Sequence, residues 1–189
     1  MTGIGLIEPS AALHASFMRS TTEWAGAEQD GASVFYAAKY GWDLRNAEDF
    51  ARWVQLLKDL EKPHFTPPEG FVAQSTLWLA HDDEYLGAVS LRHELGNDFL
   101  REVGGHIGYG IRPSARGNRL ARTALAGSLE QARSLGLPRV LLTCNDSNTA
   151  SARTIEACGG VLERVTPVAE IGPRFGSTED LRRYWIELS

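Results

Sequence analysis

The chain is poor in cysteine and in long apolar runs, and each shortage removes a class of protein. Its 189 residues include two cysteines, Cys144 and Cys158. We therefore expect reduced thiols and no disulfide framework. No stretch approaches the roughly 18 consecutive apolar residues of a membrane-spanning helix. The first ten residues, MTGIGLIEPS, also lack the basic start and apolar run of a signal peptide. We expect a cytoplasmic protein that does not enter a membrane.

The sequence also lacks an excess of basic residues and two kinds of binding motif. A formal net charge of -5 argues against a nucleic-acid-binding protein, and it weakly favours a small amine-bearing substrate. His64, His81 and His93 stand among scattered acidic residues without metal-ligand spacing, so we expect no metal. No G-x-G-x-x-G follows a strand, which ranks a dinucleotide-binding protein of Rossmann type low.

What the chain does contain is typical of one soluble α/β domain spanning residues 1–189. Hydrophobic residues make up 43% and charged residues 23%. The periodicities predict a strand, two helices, a hairpin over 74–95, a strand, a helix, a strand, a helix and two final strands. Asn46 is the predicted N-cap of the second helix. A Pro-rich segment at 62–70 and a Gly/Pro-rich segment at 172–177 are predicted loops. This order predicts an α/β fold with a mixed, mostly antiparallel central sheet flanked by helices.

The segment VGGHIGYGIRPSARGNRLAR, residues 103–122, is the most informative. It alternates as a strand from His106 to Ile111, stops at Pro113, and starts a helix near Asn118. A turn at a helix N-terminus presents unpaired backbone N–H groups, and the neighbouring arginines add positive charge. This combination predicts a phosphate-binding site.

The strand, the RPSARGNRLA turn, the long helix and the following VLLTCNDSNTASARTIEACGG resemble the acyl-CoA-binding half of the GNAT N-acetyltransferase superfamily. The runs GGHIGYGIRPS and VLLTC and the late RRYWI resemble one bacterial branch of predicted acetyltransferases within it. The likeness is specific over about residues 70 to 188. It implies acetyl-CoA as co-substrate, no metal, and a GNAT-like sheet with flanking helices, and it allows a homodimer.

The resemblance also assigns binding residues to CoA. The pyrophosphate signature falls on the turn before the long helix, and the preceding strand pairs with the pantetheine arm through its backbone. An asparagine at the start of the next helix touches pantetheine, and Ser151 lies one turn further on the same face. The implied cofactor-binding residues are Ile111, Arg112, Arg116, Gly117, Asn118, Arg119, Leu120, Ala121, Arg122, Asn148 and Ser151.

Two positions depart from the family pattern. The central glycine of the signature is Arg119, so either the backbone stays further from the phosphate or the guanidinium replaces part of that contact. The family's tyrosine, seven residues after the asparagine, protonates the departing CoA thiolate, and here that position is Ile155.

Acetylation of an amine requires a base, an oxyanion donor and a fate for the thiolate. We predict His106 as the base, with Glu102, His93 and Glu94 behind it, although strand alternation can turn His106 away from the acceptor. A backbone N–H near Tyr109 to Ile111 serves the oxyanion. For the acid, Tyr184 and Tyr109 are candidates and Ser151 a weaker one. Each of these side chains has an alternative structural role in packing or capping.

The leading hypothesis is an N-acetyltransferase that moves an acetyl group from acetyl-CoA directly to a primary amine of a small acceptor. The alternative is a non-catalytic acyl-CoA-binding or regulatory module with the same fold, which Ile155 and Arg119 support. The first 70 residues carry no motif that identifies the acceptor.

Overall fold

The structure, a computed structural model, describes residues 3–188, which form seven strands and six α-helices. The strands are β1 (Gly5–Ile7), β2 (Gln74–His81), β3 (Glu84–Arg92), β4 (Ile107–Ile111), β5 (Arg139–Asn145), β6 (Val161–Thr166) and β7 (Leu181–Glu187). The helices are α1 (His14–Trp24), α2 (Phe35–Tyr40), α3 (Ala47–Asp59), α4 (Leu120–Ser134), α5 (Thr149–Ala157) and α6 (Val168–Phe175). A π-helical turn, Leu100–Gly104, leads into β4.

The strands form two sheets, in the orders β1-β2-β3-β4 and β5-β7-β6, and the pairings within both are antiparallel. The predicted α/β fold, with mostly antiparallel strands and flanking helices, is confirmed. The difference is that the strands form two sheets where one central sheet was predicted. The break falls between β4 and β5, where the site is found.

Two cores hold the helices against the sheets. On one face of the first sheet, an aromatic cluster joins α1 and α3 to β2 and β3 through Phe17, Trp53 and Trp78, each at most 1% exposed. On the other face, an aliphatic cluster that includes Leu125 and Ile155 joins α4 and α5 to both sheets. Asn46 caps α3 as predicted, since its side chain accepts hydrogen bonds from the N–H groups of Glu48 and Asp49.

The sequence analysis did not predict two of the helices. The short α2 lies in a segment whose glycines and aromatics show no clear period. The other, α6, covers part of the predicted loop at 172–177 and contains Pro173. Pro173 is the sixth residue of α6, where it lacks the N–H that would donate to the carbonyl four residues earlier, and the helix ends two residues later at Phe175.

Candidate active site

A short joint holds the two sheets together beside the break. The N–H of His106 donates to the Leu141 carbonyl at 2.7 Å, and the N–H of Leu141 donates to Nδ1 of His106 at 2.8 Å. Gly105 precedes the joint with φ +61°, and a Cβ there would lie 2.7 Å from the Leu141 carbonyl oxygen. Only glycine therefore allows this approach. Beyond the joint, β4 pairs with β3 alone and β5 with β7 alone, so the two strands border a cleft.

The cleft opens into one continuous cavity of about 1160 Å³. One end is formed by the turn before α4 and the start of α5. Away from this turn the cavity is lined by an aromatic wall of Phe35, Phe71 and Phe99, which forms its other end. Phe35 stacks on Phe71 with ring centroids 5.6 Å apart. The cavity thus connects a polar, backbone-lined end with an aromatic end.

The turn before α4 leaves its amides free. Among the backbone hydrogen bonds found in residues 3–188, those around the turn have Arg116 and Arg122 as donors, and none has a donor from residues 117–121. Gly117 has φ +85° and Arg119 has φ +59°. This pair of left-handed residues turns successive N–H groups outward at the N-terminus of a four-turn helix, which is the arrangement that binds phosphate.

Arg119 stands at the position where the resemblance leads us to expect glycine. That residue is the N-cap of α4 and adopts the left-handed conformation, which a non-glycine residue reaches only at a cost of about 1 to 2 kcal/mol. Its side chain is exposed at the cavity, so the replacement strains the backbone. It also adds a cation beside the free amides of residues 117–121, which we call the amide cradle.

The other arginines of the segment differ in their surroundings. Arg116 donates from Nε to the Ile111 carbonyl at 3.2 Å, and its guanidinium lies 4.8 Å from the Trp24 ring centroid at the cavity. Arg112 is buried and pairs with Glu23 at 2.6 Å, which holds the pKa of that carboxyl down at about 2. The guanidinium of Arg112 is therefore already engaged within the fold.

Because backbone N–H groups along β4 point alternately to its two sides, those of Tyr109 and Ile111 lie on the open edge of the first sheet. The Arg112 N–H donates to the Leu86 carbonyl on β3, and the His106 carbonyl accepts from Arg92 on the same strand. Residues of one parity therefore bond β3, and the backbone groups of Tyr109 and Ile111 face the cleft. An extended ligand chain or a developing oxyanion in the cleft can reach the N–H groups of both residues, while the Ile111 carbonyl already accepts from Arg116.

A hydroxyl pair bridges the cleft from β4 to α5. The Tyr109 hydroxyl lies 2.8 Å from Ser151 Oγ, one helical turn before Ile155. Burial raises the pKa of Tyr109 to about 12, so the phenol is protonated at neutral pH. The Asn148 side-chain oxygen accepts from the Ser151 N–H and caps α5. Tyr109 thus brings a protonated hydroxyl from β4 to the start of α5.

Most of the predicted CoA-binding residues meet at the cavity. Its lining includes Ile111, Arg116, Gly117, Arg119, Leu120, Ala121, Asn148 and Ser151. Arg112 and Asn118 instead line a smaller cavity of about 290 Å³ behind the turn, and the exposed Arg122 lines neither. Binding of CoA by all eleven residues stays a prediction.

The three predicted catalytic side chains lie outside the lining of the large cavity. His106 is 7% exposed and its Nδ1 is the acceptor in the joint, while burial, helped by the charge of Arg92, lowers its pKa to about 4. Glu102 pairs with Arg164 at 3.0 Å. The Tyr184 ring packs in the aliphatic core, and its hydroxyl donates to the exposed Glu156 at 3.1 Å. Their catalytic roles stay predictions.

Two charged residues of the cavity were missed in the sequence. Asp30 lies in the loop between α1 and α2, where it is exposed and lines the cavity. Burial by the surrounding protein raises its pKa, and the like charge of Glu28 adds to the rise. Arg92, on β3, also lines the cavity. The acidic run AEQDG between glycines was the available signal for Asp30, and an arginine at an inward position of a buried strand was the signal for Arg92.

Glycines place the Asp30 loop directly on the first sheet. A Cβ on Gly31 would lie 2.5 Å from the Ala88 carbonyl oxygen, and a Cβ on Gly110 would lie 2.6 Å from the Asp30 carbonyl oxygen. The backbones of loop and strand therefore touch at positions where no side chain fits. This contact fixes Asp30 at the edge of β4.

The split sheets, the amide cradle and the long cavity fit a transferase that takes an acyl-CoA donor. The chain belongs to the acetyltransferase (GNAT) domain family, whose sequence profile matches residues 14–161. The predicted family, the acetyl-CoA-dependent acetyltransferase activity and acetyl-CoA as donor are thereby confirmed. No sequence among curated proteins matches the chain significantly.

Solved structures share this fold along nearly the whole chain. One is yncA, a putative acetyltransferase from Salmonella typhimurium with acetyl-CoA (17% identity, TM-score 0.63, 100% of this chain and 95% of that one). A second is a ribosomal-protein-alanine N-acetyltransferase from Brucella melitensis (16%, 0.62, 97% and 99%). A third is the spermidine/spermine N-acetyltransferase SpeG from Vibrio cholerae (16%, 0.60, 98% and 95%). At these identities the likeness establishes the fold.

Within residues 3–188 no helix is both long and apolar enough to cross a membrane.

Proposed function

We propose that the protein transfers the acetyl group of acetyl-CoA directly to a primary amine of a small acceptor, with both substrates bound at once. The observation that carries this proposal is the single cavity of about 1160 Å³, which joins the amide cradle to the aromatic end. A donor held at the cradle and an acceptor entering at the aromatic end would meet beside β4. No covalent acetyl-enzyme intermediate is then needed.

The donor would lie along the cleft. Its pyrophosphate binds the free amides of residues 117–121, with Arg116 and Arg119 adding charge at the cavity. Its pantetheine arm pairs with the backbone edge of β4 and passes Asn148 at the start of α5. This arrangement places the thioester near Tyr109, whose N–H faces the cleft and can donate to the oxyanion.

The acceptor amine must lose a proton before it attacks, because a Lys-like amine has a pKa of about 10.4. His106 is the base predicted from the sequence, but its Nδ1 is occupied and its pKa of about 4 makes it a weak proton acceptor. We propose that Asp30 attracts the ammonium form at the cavity and takes the proton, since it is exposed there and its raised pKa makes it a better base than an ordinary aspartate.

The departing thiolate would be stabilised by the Tyr109 hydroxyl. With a pKa of about 12 the phenol donates a hydrogen bond but transfers its proton unfavourably to a thiolate, whose thiol has a pKa of about 8.5. A thiolate leaves tolerably well, so hydrogen bonding at this position is sufficient.

Isothermal titration tests the donor half of the proposal, and a spectroscopic assay for free thiol tests the acceptor half. We expect CoA and acetyl-CoA to bind and a panel of primary amines to give turnover above the hydrolysis background. No measurable CoA binding would refute the proposal. CoA binding without turnover of any amine would instead favour the non-catalytic module, for which the fully buried Ile155 at the family's acid position is the supporting observation.

A further inference from the structure

Arg92 is a cation with no direct ion pair among the described residues, and the charge of Asp30 on the neighbouring loop acts on it from beyond salt-bridge distance. Its Nη1 donates to the carbonyls of Gly104 at 3.0 Å and Gly105 at 3.2 Å, and its guanidinium makes no ion pair with any acidic side chain within residues 3–188. Burial lowers its pKa, which reflects the cost of holding this charge away from water. Buried charges are normally paired, because desolvation is otherwise uncompensated. A guanidinium also has further donors on Nε and Nη2.

Two unpartnered hydroxyls lie in the same part of the cavity. Tyr36 and Ser90 are at most 1% exposed, both line the cavity, and neither side-chain oxygen has a hydrogen-bond partner in the described part of the chain. Ser90 precedes Arg92 by two residues on β3, so the two side chains project from the same face. Burial raises the pKa of Tyr36 to about 12, which keeps its hydroxyl a donor.

Gly108 lies beside these groups in the cavity lining. A Cβ at this position would lie 3.6 Å from the Gly31 backbone nitrogen, 3.7 Å from Ser90 Oγ and 3.9 Å from Nη1 of Arg92, which are ordinary contact distances. A ligand atom against Gly108 could therefore contact Ser90 and Arg92 at once. Together with Tyr36 in the same cavity lining, these donor side chains form a site for an anion.

We propose that Arg92, Ser90 and Tyr36 bind the carboxylate of the acceptor, and that the acceptor is an amino-carboxylate with an apolar or aromatic side chain. This inference rests on the proposed transfer to an amine. Asp30 on the adjoining loop would face the amine while the guanidinium holds the carboxylate, which fixes the orientation of a zwitterion. The aromatic wall supports the apolar side chain, since Phe35 and Phe99 are 40% and 46% exposed at the same cavity.

Matched acceptor pairs test the proposal. L-Phenylalanine is compared with 2-phenylethylamine, and L-tryptophan with tryptamine, which differ only by the carboxylate. We expect kcat/KM to be at least ten-fold higher for the amino acid of each pair. R92M should raise KM for the amino acids ten-fold or more and change the amines less than three-fold, and R92K should retain part of the preference. R52M, on the exposed face of α3, is the matched control and should leave all four values unchanged.

Ser90→Ala tests the same site without removing the charge of Arg92. Removing an unpartnered hydroxyl should leave the melting temperature within error, yet raise KM for the amino acids about three-fold and not for the amines. Equal rates within each pair would overturn the proposal. So would an equal fall of kcat for both members in R92M, because the guanidinium would then act on the reacting acetyl group.

A binding measurement separates this proposal from the proposed function. Titration of the CoA-loaded protein with N-acetyl-L-phenylalanine and with N-acetyl-2-phenylethylamine compares the two products directly. Preferred binding of the first without turnover of any amine would support carboxylate recognition and refute the transfer. Turnover of both members of a pair without preference would support the transfer and refute carboxylate recognition. Binding of neither product, with CoA bound normally, would overturn the carboxylate site.

Discussion

Protonation of His106 should weaken the joint between the two sheets. In the folded chain its Nδ1 accepts the hydrogen bond of the Leu141 N–H, so the ring must be neutral at this nitrogen. Burial first, and the nearby charge of Arg92 second, lower the pKa of the imidazole from 6.5 to about 4. The unfolded chain has neither effect and binds its proton near pH 6.5.

The direction of the pH effect on the free energy of unfolding follows from proton binding at His106. Between pH 6.5 and 4 the unfolded chain holds a proton at His106 and the folded chain does not, so acid favours unfolding. The contribution of neutral His106 to the free energy of unfolding is complete above pH 6.5 and is lost as the pH falls from 6.5 to about 4. A shift of this size corresponds to about 3 kcal/mol in the free energy of unfolding. Glu23, whose pKa is held at about 2, loses its contribution only in the lower window from 4.5 to 2.

Denaturant unfolding at pH 7, 6, 5 and 4 measures the effect in the natural sequence, in His106→Asn and in His81→Asn. The asparagine oxygen can accept the Leu141 N–H without titrating. We expect the difference in unfolding free energy between the natural sequence and His106→Asn to change by about 3 kcal/mol over this range. His81 is an exposed surface histidine, so its variant should follow the natural sequence. A constant difference for His106→Asn would refute the reasoning.

The same variant tests the catalytic role predicted from the sequence. Loss of a general base lowers kcat/KM by about 10² to 10⁴-fold. If His106→Asn and Glu102→Gln both keep kcat/KM and its pH profile, neither side chain is the base. A matching loss in Asp30→Asn would then assign the role to the carboxyl at the cavity.

Three further changes have defined outcomes. Arg119→Gly should alter unfolding free energy by less than about 1 kcal/mol, because relief of left-handed strain offsets the added freedom of the unfolded chain. By titration, Arg119→Gly and Arg119→Ala should both weaken CoA binding about ten-fold if the guanidinium contacts phosphate; a loss in alanine alone would assign the effect to the backbone. Tyr109→Phe should lower kcat about ten-fold with CoA affinity within three-fold, and a loss confined to CoA affinity would contradict a role at the thiolate. Gly31→Ala should raise acceptor KM and destabilise the fold by about 1 to 3 kcal/mol, since its Cβ would lie 2.5 Å from Ala88. Gly26→Ala is the control, because Gly26 has φ +86° and open surroundings, so its variant adds backbone strain without a clash. Equal losses of unfolding free energy in the two variants would refute the clash at Gly31.

Local patterns were sufficient for the elements that depend on local energies. Asn46 caps α3 because its side chain satisfies amides two and three residues away. The turn before α4 was predictable since its free amides follow from the helix start itself. The short α2 was missed because six residues carry little periodic signal, and α6 was missed because Pro173 reads as a loop residue.

The sequence alone determined the family and the donor, and it predicted the free amides before α4, because these depend on residues that are close along the chain. Tertiary structure decided the rest. Alternation left the direction of His106 open, and only the approach of β4 to β5 showed its Nδ1 bound to Leu141. Asp30 and Arg92 reach one cavity from segments some sixty residues apart, because Gly31, Gly108 and Gly110 let a loop lie against a strand. Such contacts depend on how elements pack, and no spacing within either segment encodes them.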